Sequence, residues 1–572
     1  MKTMMKYLKS LSGRIAFGLS VKVIGTLAEL LLPLILSHIL ENVIVLEHVG
    51  MIVLFGCLMV VCAAVACVCN IVANRSAARV TMIFSRSMRK DLFERTLYLS
   101  ARDADRFTVP SLESRITTDT YNVQNFVGMM QRMGVRAPIL LLGGVTITLI
   151  MDPYLSLVMI STLPLIFVTT FLISRRGVPL YTTVQRSVDG MVRVVREDVQ
   201  GIRVIKALSK SDYENRRYDK VNADLSRAER KAGTVMSSVN PIMTLLMNLG
   251  ITAVVALAAF RVAEGKSGAP TIIAFMQYFT LISMSVMSLS RMFVSYTKCA
   301  ASARRISEVL NTPDDYFVTE KEEKCDTGAH ITFENVSFSY LGRKNNIENV
   351  TFSLKKGESL GIIGATGSGK STLVRLLMRF YEIDSGKITI SGNPVTSYTR
   401  EELTQMFGVA LQNDFLYAET IAENIRFGRD IPMEDVIRAA KIAQAHDFID
   451  AFPEKYDHAI TPKGTNLSGG QRQRLLIARA IAGRPDILIL DDSSSALDYK
   501  TDANLRAALS SELGDTTFIT VAQRVSSVKN CTSIIVLDGG RVIGQGTHDY
   551  LLENCREYRE ISDSQMGGAF VE

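Results

Sequence analysis

The sequence predicts an all-α membrane domain of six spans followed by an α/β domain built around a phosphate-binding loop. Three observations predict it. Hydrophobic residues make up 47% of the 572 residues and crowd the first half, thinning after about residue 300. Six apolar stretches of spanning length fall in that half. Beyond about residue 330 the pattern changes to strand alternation, then to a strand, a Gly-rich loop and a helix.

The spans are expected at about residues 15–40, 50–73, 129–151, 154–173, 235–262 and 270–294. The links after the first and third, "ENVIVLEHVG" and "DP", are short and carry no Lys or Arg. The links at about 75–127 and 175–234 are long and basic, as in "RSMRKDLFER" and "RVVREDVQGIRVIK". The positive-inside rule then puts the N-terminus, both long links and the C-terminal half in the cytoplasm. A bacterial cytoplasmic membrane is the expected location. The long links keep a helical apolar period, so they read as cytoplasmic hairpins with tips near Val109–Tyr121 and Ala207–Tyr213. The expected division is a membrane domain over about residues 1–310, a linker over 311–328, the second domain over 329–560 and a tail from 561 with no readable signal.

The formal net charge of +7 follows the membrane flanks, which excludes nucleic acid as a partner. Eight cysteines form no CxxC pair and no metal-ligand spacing. Cys57, Cys62, Cys67 and Cys69 share one apolar run and are expected to pack as small hydrophobes. The start, "MKTMMKYLKSLSGR", reads as an interfacial helix leading into the first span. Lys22 and Glu29 are seven apart on that span and share a face. An intramembrane functional site, a structural pair and a snorkelling lysine are all open for them. On the sixth span Met284, Met287, Ser288, Arg291 and Met292 recur at helical spacing; helix packing is expected, with a flexible ligand wall as the alternative. Asn240 and Asn248 on the fifth span carry the same ambiguity.

In the second half, "ITFENVSFSY" and "NVTFSLKKGE" alternate like antiparallel strands, and "SLGIIG" reads as a short buried strand. Then follow Gly364, Ala365, Thr366, Gly367, Ser368, Gly369, Lys370, Ser371 and Thr372, a G-x-x-x-x-G-K-S loop that opens a helix. Its backbone N–H groups can curl around phosphate oxygens at a helix N-terminus. Lys370 would reach the β- and γ-phosphates, and the Ser371 hydroxyl would bind Mg²⁺. "DILILD" is the companion strand, with Asp491 at its carboxyl end to hold the Mg²⁺ shell. ATP and Mg²⁺ are the expected cofactors.

"NLSGGQRQRLLIARAI" resembles the signature segment of ABC transporter ATPases, with Leu467, Ser468, Gly469, Gly470 and Gln471 intact. Tyr340 is similar to the aromatic that stacks on adenine in that family. Gln412 in "VALQND" resembles the glutamine that links nucleotide and membrane domain, with a place at the metal. Ser495, Ala496, Leu497 and Asp498 resemble the dimer-contacting loop. With six spans ahead, the chain resembles an ABC exporter half-transporter, and "SLESRITTDTYNV" and "QGIRVIKALSKSDYE" resemble its two coupling segments. The resemblance implies an obligate dimer in which each ATP lies between one chain's phosphate loop and the other's signature.

Three positions depart from the family pattern. Asp492 stands where a glutamate normally polarises the attacking water, Gln523 where a histidine contacts the γ-phosphate, and Pro462 where a glutamate precedes the signature. Asp is one methylene shorter than Glu, and Gln has no protonated state. The first two losses fall on the ATP of this chain's own loop, while the signature that serves a partner's ATP is complete. The expected assembly is therefore a heterodimer with a second ABC half-transporter that carries the glutamate and the histidine. The expected function is ATP-driven efflux of a hydrophobic or amphipathic substrate, a drug-like compound or a lipid. A slow homodimeric exporter and an ATP-gated membrane regulator are the alternatives.

Overall fold

The computed structural model describes residues 2–44, 48–264, 268–313, 316–321, 328–340, 342, 344–412, 414–493 and 496–566. The chain falls into two compact units, one of Met1–Leu97 with Thr108–Thr312 and the other of Tyr98–Phe107 with Pro313–Glu572.

The first unit is helical. Among the described residues, six helices are long and apolar enough to cross a membrane: Ser12–Val43, Val49–Leu97, Val109–Met151, Pro153–Gln200, Ser211–Ala263 and Pro270–Leu310. All six exceed the roughly 20 residues that a bilayer core needs, so they continue beyond it. Small residues let the first two spans approach: a Cβ on Gly25 would lie 2.8 Å from Cys69 Cβ, and one on Gly18 would lie 2.9 Å from Ser76 Oγ. In the "DP" link, Asp152 Oδ1 caps the fourth span by accepting from Tyr154 N and Leu155 N at 3.0 and 3.3 Å. Its Oδ2 pairs with Arg261 Nε at 2.9 Å. Leu30, Leu140, Met159, Tyr278, Phe279 and Ile282 form the central core, where the Tyr278 hydroxyl donates to Leu30 O at 2.6 Å.

Several expectations change here. Lys22 and Glu29 do not pair with each other, and Lys22 does not snorkel. Lys22 is buried and donates to Asn70 Oδ1 and Asn74 Oδ1 at 2.7 and 3.2 Å. Glu29 takes a two-point bond from Arg136, at 2.6 and 3.2 Å. Removing one member strands the other charge in an apolar setting. Arg136→Ala is expected to cost about 2 kcal/mol and lower the thermal midpoint in detergent by about 4–8 °C. The double exchange of Glu29 and Arg136 to Gln should recover most of that loss.

Cys57 and Cys67 are exposed and Cys62 and Cys69 half-buried, because the apolar part of the second span is only 6% buried within the chain. Cys57 and Cys67 face outward instead of filling a core, whereas Cys69 lies against Gly25 of the first span as a small packing residue. Met284 is likewise 60% exposed, so packing does not account for it, although Met287 lies against Ile166, Met243 and Val286.

The first hairpin tip falls earlier than expected, whereas the second turns at Leu208–Lys210, within the expected Ala207–Tyr213. In the first, Ser100 Oγ accepts from Asp103 N at 3.2 Å and starts a short helix, Ala101–Phe107. Thr108, at φ 62°, ends it, and Pro110 opens the return helix. In the second, Gly201 breaks the fourth span, and the short helix Ile202–Ala207 runs to Ser209 at φ 50°. Within the first unit, buried Asp119 takes Arg305 Nε at 2.7 Å and Ser302 Oγ at 2.8 Å, tying the third span's extension to the sixth's.

Among the described residues, the second unit holds two sheets. Strands β1 (Ile331–Phe338), β2 (Ile347–Leu354), β4 (Ser385–Ile390) and β5 (Asn393–Pro394) form an antiparallel sheet in the order β2-β1-β4-β5. Strands β3 (Ser359–Gly364), β6 (Phe407–Ala410), β7 (Ile487–Asp491), β8 (Thr517–Val521), β9 (Ser533–Asp538) and β10 (Arg541–Gly546) form the other, in the order β10-β9-β3-β8-β7-β6. All neighbours in it are parallel except β10 and β9. Every residue of β7 is buried, as a strand covered on both faces requires. One core joins Phe333 and Phe352 of the first sheet to Ile362, Ile489 and Ile519 of the second and to Leu373 and Leu377 of the intervening helix. The helix Arg556–Met566 continues through the boundary expected at 560.

Candidate nucleotide site

The carboxyl ends of three adjacent parallel strands converge: β3 ends at Gly364, β7 at Asp491 and β8 at Val521, with Asp491 opposite Val521. This is where open α/β sheets bind ligands. The loop that leaves β3 needs its glycines. A Cβ on Gly364, at φ 156°, would lie 2.1 Å from Leu537 O, and one on Gly369, at φ 104°, would lie 2.7 Å from Ile347 Cδ1. Gly367 also has positive φ, at 83°. Ala365 and Thr366 are exposed at the loop's crest. Lys370 opens the helix Lys370–Leu377 and folds back over the loop, donating to Gly364 O and Ala365 O at 2.8 and 2.9 Å. Burial lowers the Lys370 ammonium pKa, while the nearby charges of Asp491 and Asp492 oppose that shift. Ser368 Oγ is buried with no hydrogen-bond partner among the described residues. A buried orphan hydroxyl in a glycine-rich loop at a helix N-terminus, with a lysine at hand, fits a phosphate chain.

Asp491 is 4% exposed, and burial raises its carboxyl pKa; a hydrogen bond from Ser371 is the chief opposing effect. Ser371 and Asp491 are oxygen donors of the kind that would hold Mg²⁺. The next residue, Asp492, is held at φ 50°. Asp is among the few non-glycine residues that adopt this left-handed backbone readily. Its Oδ2 accepts from Gln412 Nε2 at 3.1 Å and from Gln523 Nε2 at 3.2 Å. Burial raises the Asp492 carboxyl pKa as well, against the charge of Lys370. Gln412 bonds Asp492 here, and Gln523 meets the same oxygen from the end of β8.

Tyr340 lies half-buried after β1, with its ring centroid 4.8 Å from Phe338 and 5.0 Å from Tyr381. Its hydroxyl meets Thr372 Oγ1 at 3.3 Å, which places an aromatic ring beside the loop helix. Ser468 caps the helix Gly469–Ala482 in a reciprocal box with Gln471: Ser468 Oγ accepts from Gln471 N at 3.2 Å, and Gln471 Oε1 accepts from Ser468 N at 2.9 Å. Leu467 packs on the core beneath. Gly469 and Gly470 lie against Ala496, whose oxygen would be 3.2 Å from a Cβ on Gly470. Asp498 caps Tyr499–Glu512 by accepting from Thr501 N at 2.9 Å; Ser495 lies outside the described residues. Pro462 opens a single 3-10 turn, with Lys463 at φ 64°.

Three contributors carried no sequence signal. Gln473 donates to Asp492 O and accepts from Ala496 N, both at 3.3 Å, so it bridges β7 to the following loop. The Tyr381 hydroxyl donates to Asp105 Oδ2 at 2.5 Å, which links the Ala101–Phe107 turn to the aromatic group around Tyr340. Gln565 bonds the segment that carries Gln523.

The fold and this site define a membrane transporter with a fused nucleotide-binding domain. The profile of the ABC transporter transmembrane region matches residues 15–286, and that of the ABC transporter matches residues 347–495. The chain is 32% identical to the ABC transporter ATP-binding protein YfiB of Bacillus subtilis, over 99% of both chains. It is 31% identical to the ABC transporter ATP-binding protein Rv1273c of Mycobacterium tuberculosis, over 97% of both. A solved structure of a bacterial Atm1-family ABC exporter with ATP bound superposes with a TM-score of 0.81 at 23% identity, covering 97% of this chain and 98% of that one. The chain belongs to the ABC transporter family, with the fold of an exporter whose transmembrane and ATP-binding domains are fused.

Proposed function

We propose that this chain is one half of a heterodimeric ABC exporter of the bacterial cytoplasmic membrane, with its N-terminus and ATPase domain in the cytoplasm. Its own phosphate loop holds ATP in a weakly hydrolysing site. Its signature, Leu467 to Gln471, completes a competent site on a partner that carries the glutamate and the histidine. The observation that carries this reading is the Asp492 carboxylate, which is short and already engaged by the Gln412 and Gln523 amides at 3.1 and 3.2 Å. A general base must stand within about 3 Å of the proton it takes. The site keeps what binding needs: the glycine loop, Lys370, and the Ser371–Asp491 pair for Mg²⁺.

The substrate we propose is a hydrophobic or amphipathic molecule, drug-like or lipid. A cavity of about 490 Å³ in the membrane unit supports it, with Leu32, Ile251 and Met276 beside Glu29, Gln277 and Thr280. Apolar walls with a few polar groups suit an amphiphile. Mass spectrometry of the tagged chain, purified in mild detergent from its native host, tests the assembly. A stoichiometric second half-transporter is expected. Recovery of this chain only with itself would move the slow homodimer or the ATP-gated regulator to the front.

A further inference from the structure

The helix Arg556–Met566 is anchored from below. Tyr558 is fully buried beside Val525, Val528 and Leu551, with Ile561 packed against the same cluster. The Tyr558 hydroxyl meets His548 Nδ1 at 2.8 Å. Gln565 lies seven residues beyond Tyr558, on the same helical face. Its carboxamide grips the chain that leaves β8 at two points: Nε2 donates to Gln523 O at 2.8 Å, and Oε1 accepts from Val525 N at 2.8 Å. One partner is an acceptor and the other a donor, so only one orientation of the amide satisfies both. These backbone groups lie past the end of the β8 ladder.

The Gln523 backbone is thus held from behind, while its side chain reaches forward to Asp492 Oδ2 at 3.2 Å. Asp492 in turn lies within Coulombic range of Lys370 on the phosphate loop. The lysine of such a loop reaches the β- and γ-phosphates, so Gln523, bonded to the carboxylate beside Lys370, stands on the terminal-phosphate side of the loop.

We infer that Gln565 is a positioning residue of the nucleotide site. It holds residues 523–525 so that the Gln523 amide is already placed for the terminal phosphate, and so favours ATP over ADP. The inference rests on the ATP-site reading above. A loop fixed in advance loses less freedom when its ligand arrives. ADP lacks the terminal phosphate and gains nothing from that placement.

Two variants in the full chain test it, in the native assembly in lipid nanodiscs. Gln565→Ala removes both bonds, whereas Gln565→Glu keeps an acceptor for Val525 N–H and loses the donor to Gln523 O. Hydrogen exchange at the Val525 amide should quicken about five- to tenfold in Q565A and stay near the unmutated rate in Q565E. Nucleotide affinity at this chain's site is read by azido-ATP and azido-ADP labelling of the peptide that bears Tyr340. In Q565A, ATP affinity should fall about five- to tenfold and ADP affinity less than about twofold. Q565E should fall between the unmutated chain and Q565A for ATP. Unchanged exchange at Val525 in Q565A would overturn the clamp. Equal losses for ATP and ADP would reduce Gln565 to a general support of the fold. Labelling by neither nucleotide in the unmutated assembly would instead sink the ATP-site reading, and the exchange result would show whether the clamp survives without it.

Discussion

Asp492→Glu combined with Gln523→His raises ATP turnover on the order of 100-fold in proteoliposomes that carry this chain alone, at a density where two copies meet. In the unmutated chain the Asp492 carboxylate is one methylene short of the family's glutamate and bonded by both Gln412 and Gln523. Misplacing a reacting group by about 1 Å can cost on the order of 100-fold in rate. Glu restores the reach, and His withdraws the amide that engages the same oxygen while adding a group that can carry a proton. The two residues touch, so their effects should not simply add. Asp492→Glu alone is expected to yield roughly tenfold, and Gln523→His alone less, because the base stays short. Glu tolerates the backbone at φ 50° less well than Asp, so both variants that carry Asp492→Glu should also lose about 1 kcal/mol of domain stability. Turnover that stays at the unmutated level in the double variant would locate the defect elsewhere, with the Pro462 turn the next place to look.

The conformation of the glycine loop was legible because its determinants are local. Gly364, Gly367 and Gly369 are spaced for a loop that only glycine can line, and the Lys370–Ser371 pair follows immediately in sequence. The same holds for Ser468 and Gln471, whose capping box spans four residues. Partners brought together by packing were not legible. Glu29 shares a face with Lys22, yet its cation is Arg136 on the third span, because interhelical register and not periodicity decides which charges meet. The first hairpin turned early because one serine cap and one left-handed threonine outweighed a continuous apolar pattern. Met284 shows the limit of periodicity from the other side: a stripe at helical spacing is the same in sequence whether it packs or lines an open wall. Gln565 is a single polar residue on a polar helix, so nothing but the fold could bring it to Gln523.

If the two sites of the assembly are unequal, damage to this chain's loop and damage to its signature must have unequal consequences. Gly469→Asp tests the signature with little disturbance of the fold, since the nearest atom to a new Cβ there, Ala496 Cβ, is 3.8 Å away. It puts a carboxylate on the first turn of the Gly469–Ala482 helix, where backbone N–H groups and the helix dipole would face phosphate. Losing one such electrostatic contact costs on the order of 100- to 1000-fold in comparable sites. ATP turnover of the native assembly should fall by that order in G469D. Lys370→Ala removes the cation that lies over this chain's own loop, and ATP binding there should be lost. If that site contributes little hydrolysis, turnover of the assembly should fall less than about threefold at saturating ATP, while azido-ATP labelling of the Tyr340 peptide disappears. Equal collapse of turnover in both variants would mean that this chain's loop hydrolyses as much as its partner's. The Asp492–Gln523 contact would then be a resting arrangement that ATP displaces, and not the mark of a retired catalyst.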